Sequence, residues 1–174
     1  MENDFDLQAF FIAVDTRRRN EDLSWPALAA EVWALSHDLN ERRSDHPISP
    51  ATLRNLSTGR GPSCQHALFL LRWLGVPPEA FIPSPHPNTL EAPLPQADKA
   101  HRLRWNLRKL YKTLDAARIK RGATWRQAAS LLRCTPNQLT GLRSAKFATS
   151  MVLAMRIAQA LHLPAAHFVY VAQW

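Results

Sequence analysis

The 174-residue sequence predicts an all-α fold made of two five-helix domains in tandem. Three observations lead to this prediction. Apolar residues recur at helical spacing along most of the chain. Ser or Thr precedes most of these apolar stretches, where its side chain can cap a helix. Two halves with matching motifs are separated by a segment with five prolines between Pro83 and Pro95, which interrupts regular structure.

The first predicted domain covers residues 1–82 and begins with a helix over about 6–19. The three helices that follow each have a serine at the N-cap position: Ser24, Ser49 and Ser63. The apolar spacing after the first of these serines extends that helix to about Arg42. Gly75 ends the strongly apolar fourth helix, and a short fifth helix is predicted over about 77–82.

The second predicted domain covers residues 98–174 and follows a Pro-rich linker at 83–97. It opens with a long helix over about 98–121, which Gly122 ends. The N-caps of its later helices are Thr124, Thr135 and Ser150. The apolar tail V-Y-V-A-Q-W is expected either to close the core of this domain or to cover a partner.

Two short helices in the second domain are predicted to form a helix-turn-helix. Thr124 and Thr135 are each followed three positions later by a glutamine, Gln127 and Gln138, as in a capping box. Pro136 stands at the first position of the second helix, where its missing N–H costs nothing. Two short capped helices separated by about three residues are typical of this motif.

Charge is distributed unevenly between the two halves of the chain. The N-terminal half, residues 1–83, has 8 Lys or Arg and 11 Asp or Glu, a net charge of −3. The C-terminal half, residues 84–174, has 14 Lys or Arg and 3 Asp or Glu, which gives a net charge of +11. This asymmetry predicts a polyanionic partner for the C-terminal half. The alternative is a basic surface that only aids solubility.

The two halves also repeat the same motifs. Three pairs of segments match: Ser24-Trp25 with Thr124-Trp125, Ser49-Pro50 with Thr135-Pro136, and Leu74-Gly75-Val76-Pro77 with Leu161-His162-Leu163-Pro164. The interval from the tryptophan to the proline is 25 positions in the first copy and 11 in the second. The first copy therefore contains about 14 additional residues between its second and third helices.

Each copy resembles the five-helix DNA-binding domain of the phage repressor and Cro family, often called xenobiotic-response-element-like. The matching stretches in the second copy are W-R-Q-A-A-S-L-L, T-P-N-Q-L-T-G-L and L-H-L-P-A-A-H-F. Those in the first are S-W-P-A-L-A, S-P-A-T-L-R-N-L-S-T-G-R and W-L-G-V-P-P-E-A-F-I. The chain departs from the family pattern at the insertion, at Gly141 inside the recognition helix, and at Ala145, where the family often has glycine.

The resemblance implies a set of DNA-contacting residues, because the second helix of the motif enters the major groove. The implied base-reading residues are Pro136, Asn137, Gln138, Thr140 and Gly141. The implied phosphate contacts are Arg126, Thr135, Arg143, Ser144 and Lys146. The first copy offers a candidate second DNA site made of Pro50, Ala51, Thr52, Arg54, Asn55 and Arg60. Asn and Gln side chains can form paired hydrogen bonds with adenine, and Arg can do so with guanine. Thr can contact the methyl group of thymine.

The expected function is sequence-specific binding of double-stranded DNA by a transcriptional regulator in the cytoplasm, associated with the nucleoid. The second domain is expected to dominate the affinity, and the protein could also form a homodimer. The alternative is a protein-interaction adaptor in which one or both helix-turn-helix domains bind protein and not DNA. A protein partner could bind through the N-terminal domain, and an apolar patch around Trp33 and Leu35 would favour this alternative. A third hypothesis is that the protein binds nucleic acid without sequence specificity.

Other classes of function find little support in the sequence. It contains no metalloprotease, Walker, nucleophile-elbow or dinucleotide-binding motif, and with 5 glycines an enzyme is not expected. No cofactor or metal site is expected, since His162 and His167 are five positions apart. Cys64 and Cys134 are too few for a disulfide framework. No membrane span is expected, and the acidic N-terminus argues against a secretory signal.

Overall fold

The computed structural model describes residues 4–43, 48–56, 58, 61–83, 92–145 and 148–173. These residues are mostly helical, with one small sheet. The helices of the N-terminal half are α1 (Leu7–Asn20), α2 (Trp25–Ala34), α3 (His37–Asn40), α4 (Pro50–Arg54) and α5 (Cys64–Leu74). The C-terminal half contains β1 (Arg102–Trp105), α6 (Leu107–Lys120), α7 (Trp125–Leu131), α8 (Pro136–Gly141), α9 (Met151–Ala160) and β2 (Val169–Ala172).

A short 3-10 helix follows the last α-helix of each half, and the first of the two lies where the sequence predicted a short helix over about 77–82. These are Pro78–Phe81 and Ala165–Phe168. Both lie against the start of the first long helix of their own half. The N–H of Asp6, the N-cap of α1, donates to the carbonyl of Phe81 at 2.8 Å. The N–H of Asn106, the N-cap of α6, donates to the carbonyl of Phe168 at 2.7 Å.

The helix predicted from about residue 98 is wrong in its first part. Residues Arg102–Trp105 form β1, which pairs antiparallel with β2, so that Leu103 lies opposite Val171. Helix α6 begins only after Asn106, whose side chain accepts a hydrogen bond from the N–H of Lys109 at 2.9 Å. The apolar tail supplies β1 with a strand partner, and this tertiary pairing overrides the local helical spacing.

The second predicted helix is also shorter than expected. It was predicted to continue to about Arg42, but α2 ends at Ala34 and the separate α3 follows. Two carbonyl groups at this break accept hydrogen bonds from side chains. The carbonyl of Leu35 accepts from Arg72 at 2.7 Å, and that of Trp33 accepts from Asn40 at 2.8 Å. These side-chain bonds satisfy backbone groups that a continuous helix would otherwise pair internally.

The turn after α1 is built like the turn after α6. Arg18 pairs with Asp15 at 2.7 Å, and its guanidinium lies 4.5 Å from the centroid of the Trp25 ring. It also donates to the carbonyl of Leu23 at 2.6 Å. The counterparts 100 positions later are Asp115, Arg118 and Trp125. Arg118 pairs with Asp115 at 2.6 Å, and its guanidinium lies 4.7 Å from the centroid of the Trp125 ring. The two halves therefore share side-chain arrangements as well as sequence motifs.

A reciprocal contact joins the two halves. Ser63 and Ser150, the N-caps of α5 and α9, lie opposite each other in an isolated antiparallel bridge. Two hydrogen bonds flank the bridge, from Cys64 N–H to the Thr149 carbonyl at 2.7 Å and from Met151 N–H to the Pro62 carbonyl at 3.1 Å. Helices α5 and α9 also contact each other. The buried apolar residues of both halves form one continuous core.

Segments that precede the long helices cross to the opposite half. Strand β1 packs on α5, where the Gln65 side chain donates to the Leu103 carbonyl at 2.8 Å and accepts from the Trp105 N–H at 3.3 Å. Asp4, ahead of α1, pairs with Arg156 on α9 at 2.6 Å. These crossed contacts tie each half to the other at both ends of the interface.

The described part of the predicted linker is packed against the N-terminal half. Residues 84–91 lie outside the described residues, and 92–97 have no regular secondary structure. Leu94 and Ala97 contact the core. The guanidinium of Arg72 donates to the carbonyls of Ala97 and Asp98 at 2.8 and 3.0 Å. Residues 92–97 are therefore held in place and do not form a free tether.

Left-handed backbone occurs at matching positions of the two halves. Gly75 has φ 72° and ends α5 as the sequence predicted, while His162, at the matching position after α9, has φ 56°. Ala145 also has a positive φ, of 51°, in the left-handed region that glycine adopts more readily than alanine. Gly59 is the sequence-based candidate for the end of the helix that Ser49 begins, and it lies outside the described residues. In the described ranges, no helix has the length and apolar character needed to cross a bilayer.

Candidate nucleic-acid interface

The two short helices α7 and α8 begin with complete capping boxes. The Thr124 hydroxyl accepts from the Gln127 N–H at 3.2 Å, and the Gln127 side-chain oxygen accepts from the Thr124 N–H at 2.8 Å. Thr135 and Gln138 repeat this arrangement at 3.3 and 2.8 Å. Each box satisfies N–H groups that a short helix leaves unpaired. The start of α8 is therefore fixed by local chemistry.

Helix α8 buries its apolar side and exposes its polar side. Leu139 is buried within the core, as is Leu142 just after the helix. The predicted base-reading residues that are exposed are Pro136, Asn137, Gln138 and Thr140. Gly141 is half-buried. The exposed surface is thus the side that the sequence analysis assigned to base reading.

The exposed polar groups of α8 differ in how they are engaged. The Asn137 side chain makes no hydrogen bond to the described residues, so both its amide N–H₂ and its oxygen are available. The Gln138 oxygen accepts from the Thr135 N–H and also from its hydroxyl, at 3.1 Å, and so serves the cap. The Thr140 hydroxyl donates to the Pro136 carbonyl at 3.2 Å. Asn137 is therefore the amide best placed to bind a partner.

An open cleft of about 900 Å³ lies beside α8. The α8 residues that line it are Asn137, Gln138 and Gly141. Its opposite wall comes from the N-terminal half, through Leu7 and residues 61–63. The cleft also reaches Ser150, which lies in the reciprocal contact between the halves. The exposed side of α8 thus borders an open cleft and adjoins the segment where the halves meet.

The predicted phosphate contacts surround the motif but are not equally available. Arg126 and Arg143 are exposed and form no ion pair with residues in the described ranges. The Ser144 hydroxyl donates to the Gly141 carbonyl at 3.0 Å. The Thr135 hydroxyl takes part in the capping box. Lys146 lies outside the described residues. Among the described members of this set, the available cations are Arg126, at the start of α7, and Arg143, just after α8.

The candidate second DNA site lies on α4. The Ser49 hydroxyl caps this helix by accepting from the Thr52 N–H at 3.1 Å, and the two hydroxyls lie 2.8 Å apart. Ala51, Arg54 and Asn55 are exposed; Pro50 and Thr52 are half-buried. Arg60 lies outside the described residues. Arg54 forms no ion pair with the part of the chain that is described, so its guanidinium is available.

An ion-pair cluster at the turn between α7 and α8 was not predicted. Arg133, in this turn, and Arg156, on α9, both pair with Asp4, at 2.5 and 2.6 Å. The hydrogen bond from Arg156 and the positive charges of both arginines hold the pKa of the Asp4 carboxyl below its ordinary value. The pairing spans more than 120 residues of sequence, so no local pattern indicates it.

Two predicted surfaces are altered by the fold. The helix predicted over about 98–121 would place Arg104, Arg108 and Lys112 on one face, at a spacing of four. Arg104 lies in β1, so it does not continue the face formed by the other two on α6. Trp33, proposed for a protein-binding patch, is half-buried, with the Arg102 guanidinium 4.5 Å from its ring centroid. The ring is therefore partly covered from within the chain.

Burial is the main influence on the pKa of both cysteines and of His167. Burial raises the pKa of the Cys64 thiol to about 12, so this thiol is protonated at neutral pH. Burial also raises the pKa of Cys134 above its ordinary value. Desolvation and the nearby Lys109 lower the pKa of His167. Among the described residues, no group of three or more His, Cys, Asp or Glu could hold a metal ion.

Comparison with known proteins assigns the chain to no group. No family model, no curated protein and no solved structure matches it.

Proposed function

We propose that this protein is a sequence-specific binder of double-stranded DNA that regulates transcription, and that it contacts the DNA through the exposed side of α8. On this proposal the chain contains two tandem repressor-like domains, of which the C-terminal one supplies most of the affinity. Asn137 contacts a base edge, and Arg126 and Arg143 contact phosphates. The protein would then act in the cytoplasm, associated with the nucleoid.

The proposal depends on the exposure and the hydrogen bonding of the Asn137 side-chain amide. Its amide lies exposed near the start of a capped helix, beside an open cleft, and makes no hydrogen bond within the described residues. An amide with both a donor and an acceptor free can form two hydrogen bonds to an adenine in the major groove. A buried or engaged amide would have made this role impossible.

Charge supports the same proposal. The C-terminal half has a net charge of +11, and Arg126 and Arg143 lie exposed on either side of α8. Cations around a reading helix give affinity and fix its register on the duplex, but they do not select the sequence. Together with Asn137 they supply both the general and the specific parts of a DNA contact.

The proposal is tested by selecting duplexes from a random pool and then measuring affinity against salt by fluorescence anisotropy. We expect enrichment of a defined sequence. The logarithm of the binding constant should fall linearly with the logarithm of salt concentration, by about 0.9 per phosphate contacted. Binding that is independent of salt, or no binding to any duplex, would contradict the proposal. Equal affinity for unrelated duplexes would indicate nucleic-acid binding without sequence choice.

A further inference from the structure

The contact between the halves has the form of a symmetric dimer interface within one chain. In the two flanking hydrogen bonds, donors Cys64 and Met151 are 87 positions apart, and so are acceptors Pro62 and Thr149. Exchanging the two halves turns one bond into the other. The bridge between Ser63 and Ser150 lies on the same axis, because these residues also differ by 87 positions. Such self-complementary contacts define a local two-fold axis.

The crossed segments make this arrangement rigid. β1 of the C-terminal half packs on α5, and Asp4 of the N-terminal half pairs with α9. The buried Glu79 adds a further tie, since its carboxylate accepts from the Ala165 N–H at 2.6 Å. The two halves share one core, so their relative orientation is fixed by packing and not by the linker.

The axis places α4 and α8 in related positions. Within its own half, α4 packs on α2 as α8 packs on α7. Each of the two helices is followed along the chain by one residue of the bridge between the halves, Ser63 after α4 and Ser150 after α8. A two-fold rotation leaves direction along its axis unchanged. The cleft beside α8 reaches Ser63 and Ser150, which lie on this axis, and an α4 related to α8 by the axis would face the same side of the molecule.

The side chains that the two helices present are different. Where α8 exposes Asn137 and Thr140, α4 exposes Ala51 and Arg54, at positions that differ by 86. Asn suits adenine and Thr a thymine methyl group, whereas Arg suits guanine. The segment Pro50–Arg54 contains no carboxylate that would repel a duplex, although the N-terminal half as a whole is acidic. Two unlike reading surfaces are thus held in one fixed arrangement.

We propose that a single chain occupies a complete two-part DNA site whose halves differ in sequence, α8 contacting an adenine-containing half and α4 a guanine-containing half. This inference rests on the proposed function and adds the form of the site. A homodimer with the same axis would read an inverted repeat, because each subunit presents the same side chains. In this chain the two helices present different side chains, Asn137 on α8 and Arg54 on α4, so the DNA sequence that they bind together is not palindromic.

The first test uses the duplexes selected by the full chain. We expect a consensus without inverted-repeat symmetry and a complex with one chain per duplex in sedimentation velocity. A palindromic consensus bound by two chains would overturn the inference while leaving DNA binding intact. Failure to select any duplex would count against both this inference and the proposed function.

The second test makes the two reading surfaces alike. The double variant Ala51→Asn, Arg54→Thr gives α4 the side chains of α8 at two exposed positions, so folding should be preserved. We expect its preference to shift from the asymmetric duplex towards an inverted repeat of the α8 half-site, by roughly 5- to 150-fold, as for one or two altered base contacts.

The matched control places the α4 residues on α8, as Asn137→Ala, Thr140→Arg. It should favour an inverted repeat of the other half-site. Unchanged preference in the first variant, with its thermal midpoint intact, would show that α4 does not contact bases, and would overturn the inference even if the control loses binding.

Discussion

Arg156 holds the carboxylate of Asp4 through two hydrogen bonds, of 2.7 and 2.6 Å, across 152 residues of sequence. Both side chains are about one-fifth exposed, so water screens the pair only in part. Arg133 adds a third bond to the same carboxylate. This cluster joins the start of the chain to the turn between α7 and α8, and it therefore connects the N-terminal segment to the candidate site.

Replacing Asp4 should reduce stability in a pH-dependent way. Asp4→Asn removes the anion from between two guanidinium groups, at a cost of about 1–2 kcal/mol in the free energy of unfolding at pH 7. Because the folded state lowers the pKa of Asp4, this stability is fully present above the unfolded value and is lost as pH falls through the folded one. Urea unfolding at a series of pH values measures the difference between wild type and variant.

A surface ion pair provides the control for this prediction. Glu21 pairs with Arg17 at 2.7 Å, but both side chains are more than one-third exposed. Glu21→Gln should therefore cost under about 0.5 kcal/mol. A gap between wild type and Asp4→Asn that stays constant from pH 7 down to pH 2 would show that the Asp4 carboxylate is not the stabilising group.

Arg72 should be among the most sensitive positions for stability. Its guanidinium donates to the Ser36 hydroxyl and to four carbonyls, those of Leu35, Ala97, Asp98 and His101, at 2.7 to 3.1 Å. Arg72→Met removes these bonds and leaves the acceptors to water or unpaired, so we expect a loss of about 3–4 kcal/mol. Chemical denaturation measures the loss. Arg72→Lys, with three donors and no planar fork, should recover only part of it.

The pair Arg18 and Arg118 tests whether the two halves unfold together. Each arginine joins an aspartate, a backbone carbonyl and a tryptophan ring in equivalent turns. Alanine at either position should cost about 1–3 kcal/mol. Because both halves share one core, each variant should lower the midpoint of the same single transition by a similar amount. Two separate transitions, only one of them shifted by each variant, would contradict a shared core.

Asn137 and Arg143 should affect DNA binding differently. Asn137→Ala should weaken binding to the selected duplex by roughly 5- to 150-fold and relax the preference at one base pair, because the amide carries sequence information. Arg143→Ala should weaken binding to all duplexes alike and reduce the salt slope by about 1. Anisotropy titrations on the selected duplex and on single-base variants separate these outcomes. A uniform loss for Asn137→Ala would remove its role in base reading.

The sequence predicted most of the helices because their ends are determined locally. Thr124, Thr135 and Ser150 cap α7, α8 and α9 as expected, since a hydroxyl at the N-cap bonds to an N–H only three residues away. The exposed side of α8 also follows from spacing, because Leu139 and Leu142 turn the opposite side inward. Local chemistry was therefore sufficient for the motif and for which of its residues are exposed.

Features that depend on distant partners could not be predicted in the same way. Strand β1 forms because the tail reaches it from the other end of the C-terminal half, and helical spacing across Leu103 and Leu107 concealed this pairing. The cleft beside α8 is lined in part by Gly61 and its neighbours, which come from the other half of the chain. Neither Arg72 nor Asp4 occupies a recognisable motif, and their roles appear only once the halves are packed together.

The hydrogen bonds between Cys64 and Thr149 and between Met151 and Pro62 are intramolecular, so dilution does not separate them. A regulator assembled from two identical subunits loses its paired reading helices once its concentration drops below the dissociation constant of the dimer. A chain that carries both helices avoids this threshold, and the fraction of its sites occupied rises with the first power of protein concentration. If α4 and α8 both bind DNA as proposed, the pair stays assembled at any protein concentration.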